Sequence, residues 1–163
     1  VGRRGRGVHP RGEGHAMNAP ADWQEPIWLR CARLYLGETE IEGIENNPII
    51  VRMWDGITAL VRDDETPWCS AFINAICSDL NLPKSGLLNA RSWLKMGKEI
   101  TVPEMGDIVI FWRESPTSWK GHVAIFIKED DQSVWVLGGN QGNQVNILEF
   151  PKSKILGFRD ISV

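Results

Sequence analysis

The feature that most constrains this chain is a change of hydrophobic period near Gly106. Upstream, apolar residues recur at helical spacing behind asparagine- and proline-marked starts. Downstream, DIVIFW, HVAIFIK, SVWVLG, QVNILEF and KILGFRDI are short β-branched or aromatic runs separated by Ser, Pro, Gly, Asp and Asn. Helices first and about five strands later predict an α+β fold, its N-terminal helices packed on a C-terminal antiparallel sheet of five to six strands. A chain of 163 residues buries roughly 70% of its unfolded surface, enough for one self-sufficient core.

Four helical segments are expected. Asp22 is a good N-cap for WQEPIWLRCARLYLG, which sets Ile27, Cys31, Leu34 and Tyr35 on one side, with Gly37 as the stop. After the acidic loop 38–47, Asn47-Pro48 opens a short helix reaching about Trp54. Thr66-Pro67 opens a third, running to about Leu80 with Phe72, Ile73, Ile76 and Leu80 as its buried stripe. A shorter one lies near Asn89–Met96.

Residues 1–20 lack periodicity and read as a disordered basic tail, leaving 21–163 as a single domain. Arg3, Arg4, Arg6 and Arg11 against Glu13 give residues 1–16 a charge of +3, so the net −3 of the chain leaves −6 for the remainder. An acidic domain argues against a nucleic-acid groove. No apolar run reaches the ~18 residues that span a bilayer, so stable membrane insertion is not expected. The basic start has no apolar stretch behind it and does not read as a signal peptide. The protein is therefore expected to be made in the cytoplasm and to need help in reaching any target outside it.

The three cysteines, Cys31, Cys69 and Cys77, include no C-x-x-C pair and have no neighbouring histidine, so neither a disulfide framework nor a zinc site is expected. Cys69 and Cys77 lie about 12 Å apart along one helix, too far to bridge. Cys69, placed as the third residue after the Thr66 cap, sits in the field of a helix N-terminus, which favours thiolate. Cys77, in the helix body, has no such field, and Cys31 is expected in the core.

A cysteine nucleophile needs a base, and His122 is the only histidine beyond the tail. If the strands around 121–128 and 134–140 form a hairpin with Lys128 facing Val134, Asn140 falls opposite His122, where its amide can fix the imidazole tautomer. Ala124 and Gly138 then form a small pair that lets the end of the Thr66–Leu80 helix come close. These features predict acyl transfer: Cys69 attacks an amide carbonyl, His122 relays the proton, and water resolves the thioester. The Cys69 N–H would meet the oxyanion with a second donor, for which Tyr35, Trp68 and Gln141 are candidates. Trp68 and Trp119 are candidate substrate contacts, whereas Trp112, in an all-apolar strand, reads as core.

The motifs PWCSAF, ARSWL, GDIVIF, GHVAIF, VLGGNQ and ILGFR, with GETEIEGIENNPII upstream, together resemble small bacterial and phage members of the NlpC-type and CHAP (cysteine, histidine-dependent amidohydrolase/peptidase) superfamily. The resemblance spans about Trp28 to Arg159. It implies a papain-like fold and carries over Cys69, His122 and Asn140 as the catalytic three, with Glu40 and Gln141 lining the site. It further implies a monomeric peptidoglycan hydrolase, an amidase or endopeptidase of endolysin type without cofactor or metal, delivered by a holin or as a virion component. With about 140 residues taken up by the catalytic unit, affinity for the wall would come from the domain itself or from a partner. A catalytically silent wall-binding module of the same fold is the alternative.

Overall fold

In a computed structural model, the residues described are 25–57, 61, 63, 64 and 66–162. The expected tail and the Asp22 cap lie outside them. Three α-helices precede the sheet: α1 (Ile27–Arg33), α2 (Pro48–Met53) and α3 (Cys69–Asp79). Short 3-10 segments follow α2 and occupy Ala90–Lys95 and Lys152–Lys154. Asn47 caps α2 as anticipated, its Oδ1 accepting from the Ile49 N–H at 2.9 Å, and Asn89 caps the Ala90–Lys95 segment in the same way.

The first helix is rotated from the expected face. Leu29 and Ala32 are fully buried, while Ile27 and Leu34 are 55% and 84% exposed. The rotation is fixed by Trp28, whose Nε1 donates to the Gly106 carbonyl at 2.7 Å, a partner 78 residues away that helical periodicity cannot reveal. Cys31 and Tyr35 are half-buried against the core.

Six antiparallel strands, β1 (Lys98–Ile100), β2 (Ile108–Trp112), β3 (Gly121–Glu129), β4 (Ser133–Gly138), β5 (Asn146–Pro151) and β6 (Ile155–Asp160), form one sheet in the order β1-β6-β2-β3-β4-β5. One face, with Ile108, Ile110, Val123, Ile125 and Leu137, packs on the buried residues of the helices. The other gathers Val109, Phe111, Ala124, Phe126, Val134 and Val136 into a second cluster. Phe111 on β2 and Phe150 on β5 stack at 4.8 Å between ring centroids, although β3 and β4 separate them in the ladder. In a flat sheet, strands three places apart lie roughly 14 Å from one another. The sheet is therefore strongly curled, and the second cluster is the inside of the curl.

The β3–β4 hairpin starts one residue off the expected register. Lys128 faces Trp135, not Val134, and a bulge at Ile127 absorbs the difference, so that Phe126 faces Val136 and Ile125 faces Leu137. β4 stops at Gly138, and Asn140 turns out of the ladder with φ 57°. The projected pairing of Asn140 with His122 is therefore not made.

Candidate active site

Cys69 is the first residue of α3, not the third, because Trp68 is its N-cap. Thr66 instead closes a turn upstream, its N–H and hydroxyl donating to the two carboxylate oxygens of Asp63. A first-turn N–H has no partner within its helix, so the helix still directs free donors toward the sulfur. The thiol is only 6% exposed but forms part of the wall of a cavity of about 710 Å³, with Thr66, Asn89, Arg113 and Trp119 among its other walls. Trp119, a candidate substrate contact, is 71% exposed and lines the same cavity.

Trp68 is corrected from substrate contact to structural wall. It is fully buried, and its Nε1 donates to Glu40 Oε1 at 2.9 Å. Glu40 belongs to an acidic segment that is tied down: its own N–H donates to the Asn143 carbonyl, and Thr39 bridges to Gln144. Buried Asp64 accepts the N–H groups of Ile41 and Asn47 at 2.9 and 2.7 Å, pinning the segment from below. Glu40 thus fixes the residue that caps α3, and with it the start of the helix at Cys69.

His122 is fully buried inside the curl, stacked on Phe150 at 5.3 Å and on Phe111 at 6.2 Å. Its Nε2 lies 2.9 Å from Gln141 Oε1 and its Nδ1 lies 3.3 Å from an Arg113 guanidinium nitrogen. A guanidinium only donates, so Nδ1 carries the lone pair and the proton is on Nε2, donated to Gln141. The Gln141 orientation is fixed in turn, because its Nε2 donates to the Asn146 carbonyl and Asn146 Oδ1, both at 3.0 Å. Gln141 therefore does for the imidazole what was expected of Asn140, whose side chain has no hydrogen bond among the described residues.

The small pair Ala124 and Gly138 has a different use from the one anticipated. A Cβ on Gly138 would collide with Gln141 Oε1, so the space is filled by the Gln141 amide on the inner face. The helix makes its close approach one residue later, at Gly139, where a Cβ would meet the Trp68 ring at 2.7 Å and Phe72 Cβ at 2.8 Å.

Cys69 and His122 approach the same strand from different sides. Val123 belongs to the helix-side core, and its N–H points at the Cys69 sulfur, while His122 stacks inside the curl. Among the described residues no hydrogen bond joins the sulfur to the imidazole. Burial pushes the Cys69 thiol pKa up, against the opposing pull of the Val123 N–H, Arg113 and the N–H groups of Ser70 and Cys69 itself. Burial likewise lowers His122 to about 4, with the Gln141 hydrogen bond opposing and Arg113 reinforcing the shift. The resting pair is thiol and neutral imidazole. Cys77, lacking donors of this kind, is pushed up to about 12 by burial.

Two candidates for a second oxyanion donor are engaged elsewhere, Gln141 with His122 and Asn146 and Trp68 with Glu40, and the third, Tyr35, lines a different cavity with Arg52 and Ser78. Trp112, expected in the core, is half-buried, its Nε1 donating to the Ser153 carbonyl, and it joins Arg113, His122 and Phe150 in lining a second cavity of about 310 Å³. Two arginines escaped the sequence reading. Arg91 holds the loop before His122 through the carbonyls of Ser115, Pro116 and Lys120, and Arg113 lines both cavities. ARSWL and the end of the FWR run carry them, but only the curl of the sheet gives them a role.

The family model of the CHAP domain matches residues 61–140. No curated protein matches the chain. The matched stretch holds α3 and β2 to β4, and with them Cys69, His122 and the Asn140 turn. Through it residues 61–140 are identified as a CHAP domain, with the α+β papain-like fold and, in general terms, the activity of a hydrolase.

Proposed function

We propose that this protein is a peptidoglycan hydrolase that cleaves an amide bond, either between sugar and stem peptide or within the peptide, through Cys69 and His122. The observation that carries this reading is a cysteine at a helix start, in the wall of a large cavity, whose sulfur takes the N–H of the residue following a neutral, tautomer-fixed histidine. His122 Nδ1 accepts the thiol proton as the sulfur attacks the carbonyl carbon, and the Cys69 N–H faces the oxyanion. Collapse breaks the C–N bond, the imidazolium protonates the leaving amine, and a thioester remains. Water, giving its proton to His122, then cleaves the thioester, releasing a carboxylic acid and restoring the thiol. Gln141 is a positioning residue in this scheme, Trp119 the wall against which sugar or peptide lies, and Asn140 is free to meet substrate.

The setting that suits such an enzyme is phage or prophage lysis, with a monomer reaching the wall through a holin or a virion. Cys69→Ala is expected to abolish clearing of purified cell walls with the melting temperature preserved; undiminished clearing by that variant refutes the reading. The silent wall-binding module draws on the missing sulfur–imidazole hydrogen bond. It is separated by comparing wall binding with wall clearing: in the enzyme Cys69→Ala keeps binding and loses clearing, whereas a silent module binds and clears nothing in either form. Mass analysis of released fragments assigns the bond cut.

A further inference from the structure

The side chain between the two cavities is Arg113. Its guanidinium lies 3.3 Å from the one nitrogen of His122 able to accept a proton, and it lines both the Cys69 cavity and the His122 cavity. Glu114, which also lines both, is committed to Lys120 at 2.6 Å. Among the described residues Arg113 takes part in no ion pair. A fork of five donors has therefore spent one on an imidazole, and none of the others has a partner among the described residues. While it stays there, the lone pair needed for general-base catalysis is occupied, and a cation stands where imidazolium would form.

We propose that Arg113 is the carboxylate receptor of this site: an acyl donor with a free carboxylate beside its scissile amide draws the guanidinium away from His122 Nδ1 and releases the base. The inference rests on the cysteine-hydrolase reading above and names the substrate class of that site. A carboxylate offers the bidentate, charge-assisted pairing that neither Glu114 nor any other described residue gives Arg113, whereas a primary amide in the same place offers one neutral acceptor. The preference is thus for acidic peptides over their amidated counterparts, and it is coupled to activation because one guanidinium serves both partners. No covalent step is added.

Two measurements test it. The first compares alkylation of Cys69 by iodoacetate and by iodoacetamide, each forming a C–S bond and expelling iodide, against a neutral reference peptide thiol in the same solution. The iodoacetate-to-iodoacetamide rate ratio is expected to be about tenfold or more above the reference, the size of one charge-assisted bond. It should fall to the reference in Arg113→Gln and to an intermediate value in Arg113→Lys. A wild-type ratio at the reference value, a ratio unchanged in Arg113→Gln, or no reaction of Cys69 with either reagent overturns the proposal. The second compares kcat/KM for matched stem-peptide fragments carrying a carboxylate or a primary amide beside the scissile bond. Preference for the carboxylate that vanishes in Arg113→Gln supports it, and equal cleavage of both overturns it while leaving the hydrolase reading standing. A high alkylation ratio with neither fragment cleaved keeps Arg113 as a receptor and overturns the hydrolase reading instead.

Discussion

Lowering the pH should destabilise this fold through one imidazole. His122 has a folded pKa of about 4 against 6.5 when free, because it is buried against the stacked pair Phe111 and Phe150 and lies beside Arg113. Between those values the unfolded chain binds a proton that the folded chain refuses, so stability falls as pH falls from about 6.5 to about 4. Linkage puts the loss at about 2 kcal/mol between pH 7 and pH 5, approaching about 3 kcal/mol below pH 4. Urea unfolding at pH 7 and pH 5, compared between wild type and His122→Gln, isolates the effect, because His9, His15 and the carboxylates cancel in the difference. An NMR titration of the wild-type imidazole gives the same answer without a variant, with a midpoint near 4. A midpoint near 6.5, or equal pH dependence in both proteins, refutes the argument that this ring is buried, neutral and held by Gln141.

Other consequences follow from the packing around it. Gly139→Ala puts a methyl against the Trp68 ring and Phe72 Cβ, neither of which can yield, and should cost about 1–3 kcal/mol in urea unfolding. Glu40→Ala strands the Trp68 Nε1 and loosens the start of α3; a loss of about 1 kcal/mol and altered tryptophan emission are expected, and unchanged emission would refute the pairing. Gln141→Leu removes the His122 acceptor and both donors to Asn146, and should cost about 1–3 kcal/mol with a fall in kcat; Asn140→Gly, which keeps the left-handed backbone, should spare stability, separating the two neighbours by chemical denaturation.

Much of the architecture was legible because local signals agreed with it. Asn47-Pro48 and Asn89 announced their helix starts, and the change of period at Gly106 announced the sheet. What misled were features set by distant partners. The face of α1 depends on a tryptophan reaching Gly106, and the start of α3 on Trp68 being held by Glu40. The hairpin register failed at the turn because a bulge has no marker in IFIKEDDQSV, yet it returned to the expected pairing at Phe126 and Ile125. Alternation in an extended strand then put Asn140 opposite His122, but the backbone turns left-handed there and hands the position to the next residue, Gln141. Arg113 was invisible because its significance depends on the curl of the sheet, which links strands far apart in the ladder.

The strand order has a consequence for when such a protein becomes active. β6 lies between β1 and β2, so both wait for a neighbour that is made after Cys69, His122 and Gln141 have all left the peptidyl-transferase centre. A nascent chain paused between Gln141 and Ile155 owns every group in the proposed reaction yet has an open seam through its scaffold. Synthesis itself thus acts as a timer, and a frameshift or stop that spares the reactive side chains but removes the final strand should yield an insoluble, inert product.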